Sequence, residues 1–354
     1  MTPIDDPRSA DDPRSAGDPR SADEVLEWSR GLVVPALHDA VDRLSPPVRH
    51  IAGYHLGWWD ADGIEADASG GKGIRPALTL LCAEAVGAAP EKAVSAAVAI
   101  ELIHNFSLLH DDVMDRDETR RHRLTAWRVF GIGGAILAGD AMLTLAVEVL
   151  TGSEEMVRIL CASIEALIDG QMADISFEAR TDVSLAECVQ MARNKTGALL
   201  SAACILGAQA GGGNAAQIEG LTRFGAQLGL AFQVADDLQG IWGDPDVTGK
   251  ADYSDLRNRK KSLPVVAALE SVTAASTELQ TWFVSAGEPS ALDVERVAAL
   301  VEEGGGRDWA RRQLASLHTD AVLHLDRSQP TARAGAELAA LSALVAASAS
   351  RAAR

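Results

Sequence analysis

The sequence predicts an all-α fold, and three observations support that prediction. From about Asp23 onward the chain consists of long segments that are rich in Ala and Leu and lack the strict alternation of strands. The clearest of these segments are 92–109, 135–150, 154–171 and 217–238. Turn-forming runs such as SPP at 45–47 and AGGGN at 210–214 separate the helical segments. The sequence contains no GxxxxGK[ST] loop and no strand-flanked GxGxxG motif, which disfavours nucleotide-binding α/β folds.

The composition fits a soluble globular protein and excludes one broad class of partner. Of 354 residues, 47% are hydrophobic and 23% are charged, which is typical of a chain with a sizeable core. Acidic residues number 50 against 32 basic ones, so the formal net charge is −18. Because nucleic acid binding needs a basic surface, we expect no nucleic acid partner.

Nothing in the sequence predicts a secreted or membrane-spanning protein. No signal peptide is recognisable, and the longest apolar stretch, 93–110, contains Glu101, His104 and Asn105, which are costly inside a bilayer. The four cysteines lie singly, without a CxxC pair, as reduced core residues do. We therefore expect a cytoplasmic protein with no transmembrane segment.

The first 22 residues differ in character from the rest of the chain. They contain a tandem six-residue repeat: DDPRSA at 5–10, DDPRSA at 11–16 and GDPRSA at 17–22. Proline in every unit and almost no apolar surface predict a disordered tail over 1–22, followed by one helical domain over 23–354. We interpret the tail as a solvated segment, with docking to an unidentified partner as the alternative.

A cluster of acidic residues ends one of the apolar helical segments. Asp111 and Asp115 are four residues apart, so on a helix both carboxylates lie on one face, with Cβ atoms about 5–6 Å from each other, and Asp112 flanks them. Such a cluster more often lies on a solvated surface of a protein. Here the acids follow directly from an apolar helical segment, which argues against that interpretation. Carboxylates in this arrangement favour Mg²⁺, which takes oxygen ligands and completes its shell with substrate phosphates.

A second acidic pair repeats this pattern later in the chain. Residues 231–244 read AFQVADDLQGIWGD, an apolar helical run that carries Asp236 and Asp237. The two runs together predict two helices that present carboxylates to each other across one cavity, with room for several Mg²⁺ ions between them.

Basic residues occur near both acidic motifs. Arg120 and Arg121 follow the first motif by about one helical turn, and guanidinium groups bind phosphate oxygens in a bidentate way. The segment GGKGIRP at 70–76 places Lys72 and Arg75 beside glycines that let the backbone approach an anion. Further cationic groups are Lys195, Lys250, Lys260 and Lys261. Cationic clusters beside a metal site predict two diphosphate groups, one bound through metal and one bound directly.

The order of these motifs resembles that of the trans-isoprenyl diphosphate synthases of the polyprenyl synthetase family. The matching pieces are GGKGIRP, HNFSLLHDDVMD with RR five residues on, NKT, FQVADDLQGIWGDPDVTGK and DLRNRKKSLP. They cover about residues 50–270. One acidic motif alone is weak evidence for a family, whereas five motifs in the family's order are specific for it. The resemblance implies an isoprenoid synthase-type helical bundle around a central apolar cavity.

The resemblance also implies a role for each motif residue. Mg²⁺ that bridges an allylic diphosphate would be bound by Asp111, Asp112, Asp115, Asp236 and Asp237. The same diphosphate would contact Arg120, Lys195, Lys250 and Lys260, and isopentenyl diphosphate would contact Lys72, Arg75, His104 and Arg121. The catalytic end of the site would be formed by Lys195, Thr196 and Gln233, where the oxygens of the last two steady positive charge.

The reaction that the resemblance implies is prenyl transfer. An allylic diphosphate ionises, the double bond of isopentenyl diphosphate attacks the cation, and the proton that is lost goes to the released diphosphate. In the family, a bulky residue five positions before the first acidic motif goes with a twenty-carbon product. Phe106, followed by Ser107, therefore implies geranylgeranyl diphosphate, with farnesyl diphosphate as the alternative. The resemblance and the many apolar helix faces also indicate a homodimer.

Several positions depart from the family pattern, and two rival functions remain. The second acidic motif ends in Gly240 where the family usually has a third aspartate, and His122 and Leu124 replace a glycine and a proline. The role of Lys260 is ambiguous by one position, because Lys261 follows it. The rival functions are a class I terpene cyclase, which needs no second diphosphate pocket, and a non-catalytic subunit of a heteromeric synthase, which would tolerate loss of the aspartates.

Overall fold

Helices make up 78% of the described chain and strands almost none of it, which confirms the all-α prediction. The computed structural model describes residues 18–66, 71–244, 253–285 and 290–351. Most of the predicted repeat tail and Lys250 lie outside these residues.

The helices are, in chain order, α1 (Ala22–Val41), α2 (Pro46–Leu56), α3 (Ile74–Ala85), α4 (Val94–Met114), α5 (Ala126–Val149), α6 (Glu154–Ala179), α7 (Leu185–Ala192), α8 (Ala198–Ala210), α9 (Ala215–Trp242), α10 (Ser254–Arg257), α11 (Leu263–Leu269), α12 (Ala274–Val284), α13 (Ala291–Glu303), α14 (Gly306–Arg327) and α15 (Ala332–Arg351). A 3₁₀ turn (Pro90–Ala93) precedes α4, and a π turn (Arg193–Gly197) joins α7 to α8. Two short antiparallel strands, β1 (Thr119–Arg120) and β2 (Arg123–Leu124), form a hairpin.

Helix α4 lies inside the bundle because it is apolar on nearly every side. Its residues from Ala96 to Ile103 are all buried. Helix α4 packs against α3, α5 and α8, and α9 packs against α8 and α14. Both helices that carry the acidic motifs are therefore core helices, and both contact α8.

A smaller core cluster fixes the segment that follows α9. Leu256 of α10, Val265 of α11, Leu279 of α12 and Val294 of α13 are fully buried in it, together with Ile241 near the end of α9. Because these side chains pack on the last turns of α9, the short helix α10 is held against the end of the helix that carries the second acidic motif.

The paired arginines lie on a hairpin that follows the first acidic motif. Helix α4 ends at Met114, and Arg120 is the last residue of β1. Arg121 and His122 have φ values of 51° and 62°, as the two central residues of a tight two-residue hairpin turn require. Trp127 Nε1 donates to the carbonyl of Asp117 over 2.8 Å and so ties the hairpin to α5.

The end of the predicted repeat tail is attached to the domain, which differs from the expectation of disorder up to residue 22. Arg20 donates from its Nε and Nη2 to the two carboxylate oxygens of Glu337, at 2.9 and 2.6 Å, and its Nη2 also lies 2.6 Å from Glu84. Its guanidinium covers the ring of Trp28. Ser21 caps α1 through a capping box. The tail composition hid this contact because both acidic partners are far away in sequence.

Within the part of the chain that the structure describes, two segments have the length and hydropathy of membrane-spanning helices. The first, Pro90–Met114, is mostly buried inside the bundle. The second is α5, which is only one third buried and exposes Ile132 and Leu137. Core helices of soluble proteins have the same length and composition, so these segments are weak evidence for a membrane span.

The Arg20 contact generates a stability prediction. Arg20→Ala should lower the free energy of unfolding by about 1–3 kcal/mol, because the fully buried carboxylate of Glu337 loses the guanidinium of Arg20 and keeps only Arg333 and the backbone N–H of residue 20. The measurement is urea unfolding followed by circular dichroism. Arg30→Ala is the matched control, since Arg30 pairs with Glu27 on the exposed surface. Equal stability of the two variants would contradict the prediction.

Candidate functional site

The first acidic motif lies at the C-terminal end of α4, where the helix leaves the core. Asp112 is buried, with 1% of its surface exposed, whereas Asp111 is half-buried and Asp115 is exposed as the C-cap of the helix. Burial raises the pKa of all three carboxyl groups, and the pKa of Asp112 rises to about 6 even though Arg120 opposes the shift. The motif is therefore a place where added positive charge is favourable.

Arg120 is the resident cation of this motif. Its Nε donates to Asp112 Oδ1 over 2.7 Å. The other carboxylate oxygen of Asp112, Oδ2, is buried and has no hydrogen-bond partner. A buried carboxylate oxygen without a donor or cation is costly, so this atom favours a further positive group beside it.

The second acidic motif on α9 is connected by hydrogen bonds to the NKT segment. Thr196 Oγ1 donates to Gln233 Oε1 over 2.6 Å, and Gln233 Nε2 donates to Asp237 Oδ1 over 2.7 Å. The backbone N–H of Leu263 donates to the second oxygen of Asp237 over 2.9 Å. Asp237 is buried by these contacts, while Asp236, one residue earlier, is half-buried.

Sequence reasoning missed Asp174, which lies on α6 between the two motifs. Lys195 Nζ donates to Asp174 Oδ2 over 2.7 Å. Lys195 itself lies in the π turn, a distortion of the helix that recurs at functional sites. A single aspartate in a long amphipathic helix gives no signal by itself.

Lys260 lies among acidic groups, which resolves its ambiguity with Lys261 in geometric terms. Burial disfavours the charged form of Lys260 and lowers its pKa. A larger combined effect, which raises the pKa, comes from the negative charges of Asp255, Asp237, Asp174 and Asp236. By contrast, Lys261 Nζ donates to the carbonyls of two residues at the end of α6, over 2.7 and 3.2 Å. Of the two lysines, Lys260 faces the site.

Electrostatic contacts show that the two acidic motifs face the same space. Asp111 of α4 interacts with both Lys195 and Lys260. Lys260 in turn interacts with Asp236 and Asp237 of α9. Lys260 therefore interacts with both motifs, and Lys195 interacts with the first motif and with Asp174.

A separate cationic group lies at the start of α3. Arg75 Nη1 lies 3.2 Å from His104 Nε2, and the guanidinium of Arg121 covers the backbone of Gly71, where a Cβ would lie 2.8 Å from its Nη2. Gly71 has a φ of +97°, a backbone conformation that favours glycine. Lys72 is exposed next to it. These residues belong to three elements, α3, α4 and the hairpin, which the fold brings together.

Burial sets the charge state of this second group. The pKa of His104 lies well below its usual value, because the ring is buried and Arg75 and Arg121 are close, so the imidazole is neutral at pH 7. Burial also lowers the pKa of Arg75 to about 10, while Glu101 opposes the shift. The group therefore keeps its positive charge on the guanidinium and ammonium groups, and the neutral imidazole adds a hydrogen-bonding nitrogen.

Phe106 and Ser107 lie one turn before the first acidic motif on α4. Phe106 is buried, with 6% exposed, and its ring meets that of His110 edge-on with centroids 4.8 Å apart. His110 Nε2 lies 3.1 Å from the carbonyl of Ile136 on α5. Ser107 Oγ donates to the carbonyl of His104 over 2.8 Å. The aromatic ring thus has a fixed position between α4 and α5.

The tryptophans Trp58 and Trp59 serve packing. Trp58 stacks on His38 with centroids 3.4 Å apart, and Trp59 Nε1 donates to the carbonyl of His50 over 2.8 Å. Neither residue is tied to an acidic motif by these contacts.

The carboxylates fit Mg²⁺ in their chemistry without forming a complete cage. Within the ranges that the structure describes, no three His, Cys, Asp or Glu side chains converge into a metal-holding cluster. Mg²⁺ bound by one or two carboxylates together with substrate phosphates does not need such a cluster. Hard carboxylate oxygens, including the unpartnered Oδ2 of Asp112, are the donors that this ion prefers.

Comparison with known proteins identifies one family. The model of the polyprenyl synthetase family matches residues 64–301. A (2E,6E)-farnesyl diphosphate synthase from Mycobacterium tuberculosis is 46% identical over 322 residues, which are 89% of this chain and 90% of the relative. A geranylgeranyl diphosphate synthase from the same strain is 46% identical over 294 residues, or 81% and 84% of the two chains.

Solved structures agree with the sequence relatives. The crystal structure of a polyprenyl synthetase from Streptomyces coelicolor A3(2) superposes with a TM-score of 0.87 at 50% identity, covering 91% of this chain and 98% of that chain. The isoprenoid synthase-type all-α fold is thereby confirmed. The chain belongs to the polyprenyl synthetase family.

Proposed function

We propose that this protein is a Mg²⁺-dependent trans-prenyltransferase that condenses isopentenyl diphosphate with allylic diphosphates, with geranylgeranyl diphosphate as the main product. The observation that carries the proposal is the division of the site into two groups. Acidic residues with Lys195 and Lys260 between them suit a diphosphate bound through metal. The group around Arg75 and Arg121 suits a diphosphate bound directly.

The acidic group is the proposed site of the allylic diphosphate. The residues that would hold Mg²⁺ are Asp111, Asp112, Asp115, Asp236 and Asp237. When bound, the metal neutralises negative charge on the departing diphosphate. Arg120, Lys195 and Lys260 lie beside these aspartates and would neutralise the same diphosphate from the protein side. Lys250, which lies outside the described residues, is proposed for the same role.

The cationic group is the proposed site of isopentenyl diphosphate. Lys72, Arg75 and Arg121 would bind its oxygens, and the neutral ring of His104 would add a hydrogen bond without adding charge. Its double bond would then lie toward the allylic carbon, where the joined side chains of Thr196 and Gln233 present oxygen atoms to developing positive charge. The proton lost in the last step goes to an oxygen of the released diphosphate.

Farnesyl diphosphate is the second candidate product. The two relatives from Mycobacterium tuberculosis have the same identity to this chain, and their names give different products. The position of Phe106 supports a product of twenty carbons. Its ring contacts His110 one turn before the acidic motif, and there it would stop the growing chain. Ser107 beside it leaves more space than a second aromatic ring would.

The exposed apolar face of α5 and α6 supports a homodimer. Its most exposed large side chains are Ile132, Ile136, Leu137, Ile168 and Met172. Several large apolar side chains exposed on two helices that contact each other favour an association site. We propose that two copies cover it in the cytoplasm.

The metal role of the aspartates is tested by substitution. Asp111→Asn and Asp236→Asn should each lower turnover roughly a thousandfold, because each removes one negative ligand while its size stays the same. Prenyl transfer is measured with radiolabelled isopentenyl diphosphate, with circular dichroism as a check of the fold. The matched control is Glu295→Gln, an exposed acid on α13, which should keep full activity. Full activity of the wild-type protein in excess chelator would contradict the proposal.

Product length is tested at Phe106. Phe106→Ala should shift the products toward longer chains, because it removes the ring that closes the path one turn below the metal motif. The measurement is chromatography of the dephosphorylated products. The control is Phe283→Ala on α12, which removes an aromatic ring far from α4 and should leave the distribution unchanged. An unchanged distribution in Phe106→Ala would place the end of the path elsewhere.

The homodimer is tested on the face of α5 and α6. The wild-type protein should sediment as a dimer at micromolar concentration, and the double variant Leu137→Glu/Met172→Glu should sediment as a monomer, because charges on both helices oppose burial of the face. Val272→Glu is the control, since Val272 is fully exposed after α11. A wild-type protein that is monomeric under these conditions would argue against the proposal.

A further inference from the structure

The second acidic motif lacks a side chain at its third position. On α9, residue 240 follows Asp236 by four and Asp237 by three, so all three positions share one helix face. The resembled family usually has an aspartate there, and this chain has Gly240. The acidic face of α9 would end one turn early if nothing replaced that carboxylate.

The carboxylate of Asp255 occupies the space that a side chain at residue 240 would fill. A Cβ on Gly240 would lie 2.6 Å from Asp255 Oδ1 and closer still to its Cγ and Oδ2. No real Cβ tolerates such contacts, so Gly240 and Asp255 fit each other only because the glycine has no side chain. Asp255 belongs to α10, which follows α9 in sequence.

Backbone contacts fix Asp255 in this place. Ser254 Oγ donates to the carbonyl of Gly240 over 3.4 Å, and the N–H of Lys260 donates to the carbonyl of Asp255 over 2.8 Å. Leu256, the next residue, is fully buried in the core cluster that packs on the end of α9. The position of the carboxylate thus follows from packing on both sides of it.

The charge of Asp255 acts on the second acidic motif. Among the four aspartates that stabilise the ammonium of Lys260, Asp255 makes the largest contribution. It also interacts with Asp237, where its negative charge adds to burial in raising the pKa of that carboxyl group. Asp255 therefore belongs electrostatically to the same group as Asp236 and Asp237.

We propose that Asp255 supplies, from α10, the negative charge that Gly240 does not carry on α9. The second acidic motif of this chain then consists of Asp236, Asp237 and Asp255. The Asp255 carboxylate packs against Gly240 where a Cβ would clash with it, and it is a positioning residue that acts through Lys260 and through the charge of the site. The inference rests on the proposed function of the site.

The test exchanges the carboxylate between the two positions. The probe is Mn²⁺ in the presence of inorganic pyrophosphate, with affinity measured by isothermal titration calorimetry on the full chain. Asp255→Asn, which keeps the shape, should weaken Mn²⁺ binding about tenfold or more, the usual effect of losing a charged group behind a metal site. Gly240→Asp alone should also weaken binding, because its side chain displaces Asp255.

The double variant Gly240→Asp/Asp255→Ala should recover most of the affinity, since it restores one carboxylate and removes the clash. Gly240→Ala/Asp255→Ala is the matched control, because it fills the same space without a charge and should not recover. Thermal unfolding of every variant separates loss of fold from loss of metal binding. The variants should rank in the same order in a prenyl transfer assay. The quantity compared there is the Mg²⁺ concentration that gives the half-maximal rate.

Two results would overturn the inference. Wild-type affinity in Asp255→Asn would show that its charge is not needed, and this variant gives an answer even where Gly240→Asp fails to fold. Equal recovery in the two double variants would show that residue 240 and residue 255 interact through packing alone. A wild-type protein that binds no Mn²⁺ with pyrophosphate would instead overturn the proposed function, and with it the inference.

Discussion

Repulsion between buried carboxylates is the constraint on which the site depends. Asp112 and Asp237 are buried and Asp174 is partly buried, and each accepts a hydrogen bond from a donor on another element. Without Arg120 or Lys195 the first two would be buried negative charges without a partner, which is strongly destabilising. The chain thus carries enough cations to fold without metal, and one unpartnered oxygen on Asp112 still favours further positive charge.

Burial and nearby charges also give the two halves of the site different electrostatic properties. On the α3 side, burial makes His104 neutral, so two guanidinium groups stand close to it without a third positive charge. On the acidic side, burial raises the pKa of the carboxyl groups, but Lys260 keeps its proton because aspartates surround it. One half is therefore suited to bind an anion directly, and the other half is suited to bind it with a cation. This polarity would let a chain with a net charge of −18 accept the diphosphates that we propose as its substrates.

Motifs that end an apolar run could be predicted from the sequence, whereas partners from distant elements could not. The aspartates on α4 and α9 were recognisable because acids rarely follow directly from core helices. Asp174 carried no such signal, since its meaning comes from Lys195, 21 residues later, in a π turn that no periodicity predicts. Arg20 was hidden in a repeat, because its partner Glu337 lies 317 residues away. Local pattern therefore identifies the charged groups, and tertiary packing decides which of them meet.

The position of Phe106 in the sequence determines only in part where its aromatic ring lies. Counting five residues back from Asp111 places Phe106 beneath the first motif, but the direction of its ring depends on His110, which is held by the carbonyl of Ile136 on α5. Helix α5 also carries the exposed apolar face. A substitution that shifts α5 would therefore also shift the support of this ring. The chain-length limit that we propose for Phe106 thus depends on the packing of α4 against α5 and not on residue 106 alone.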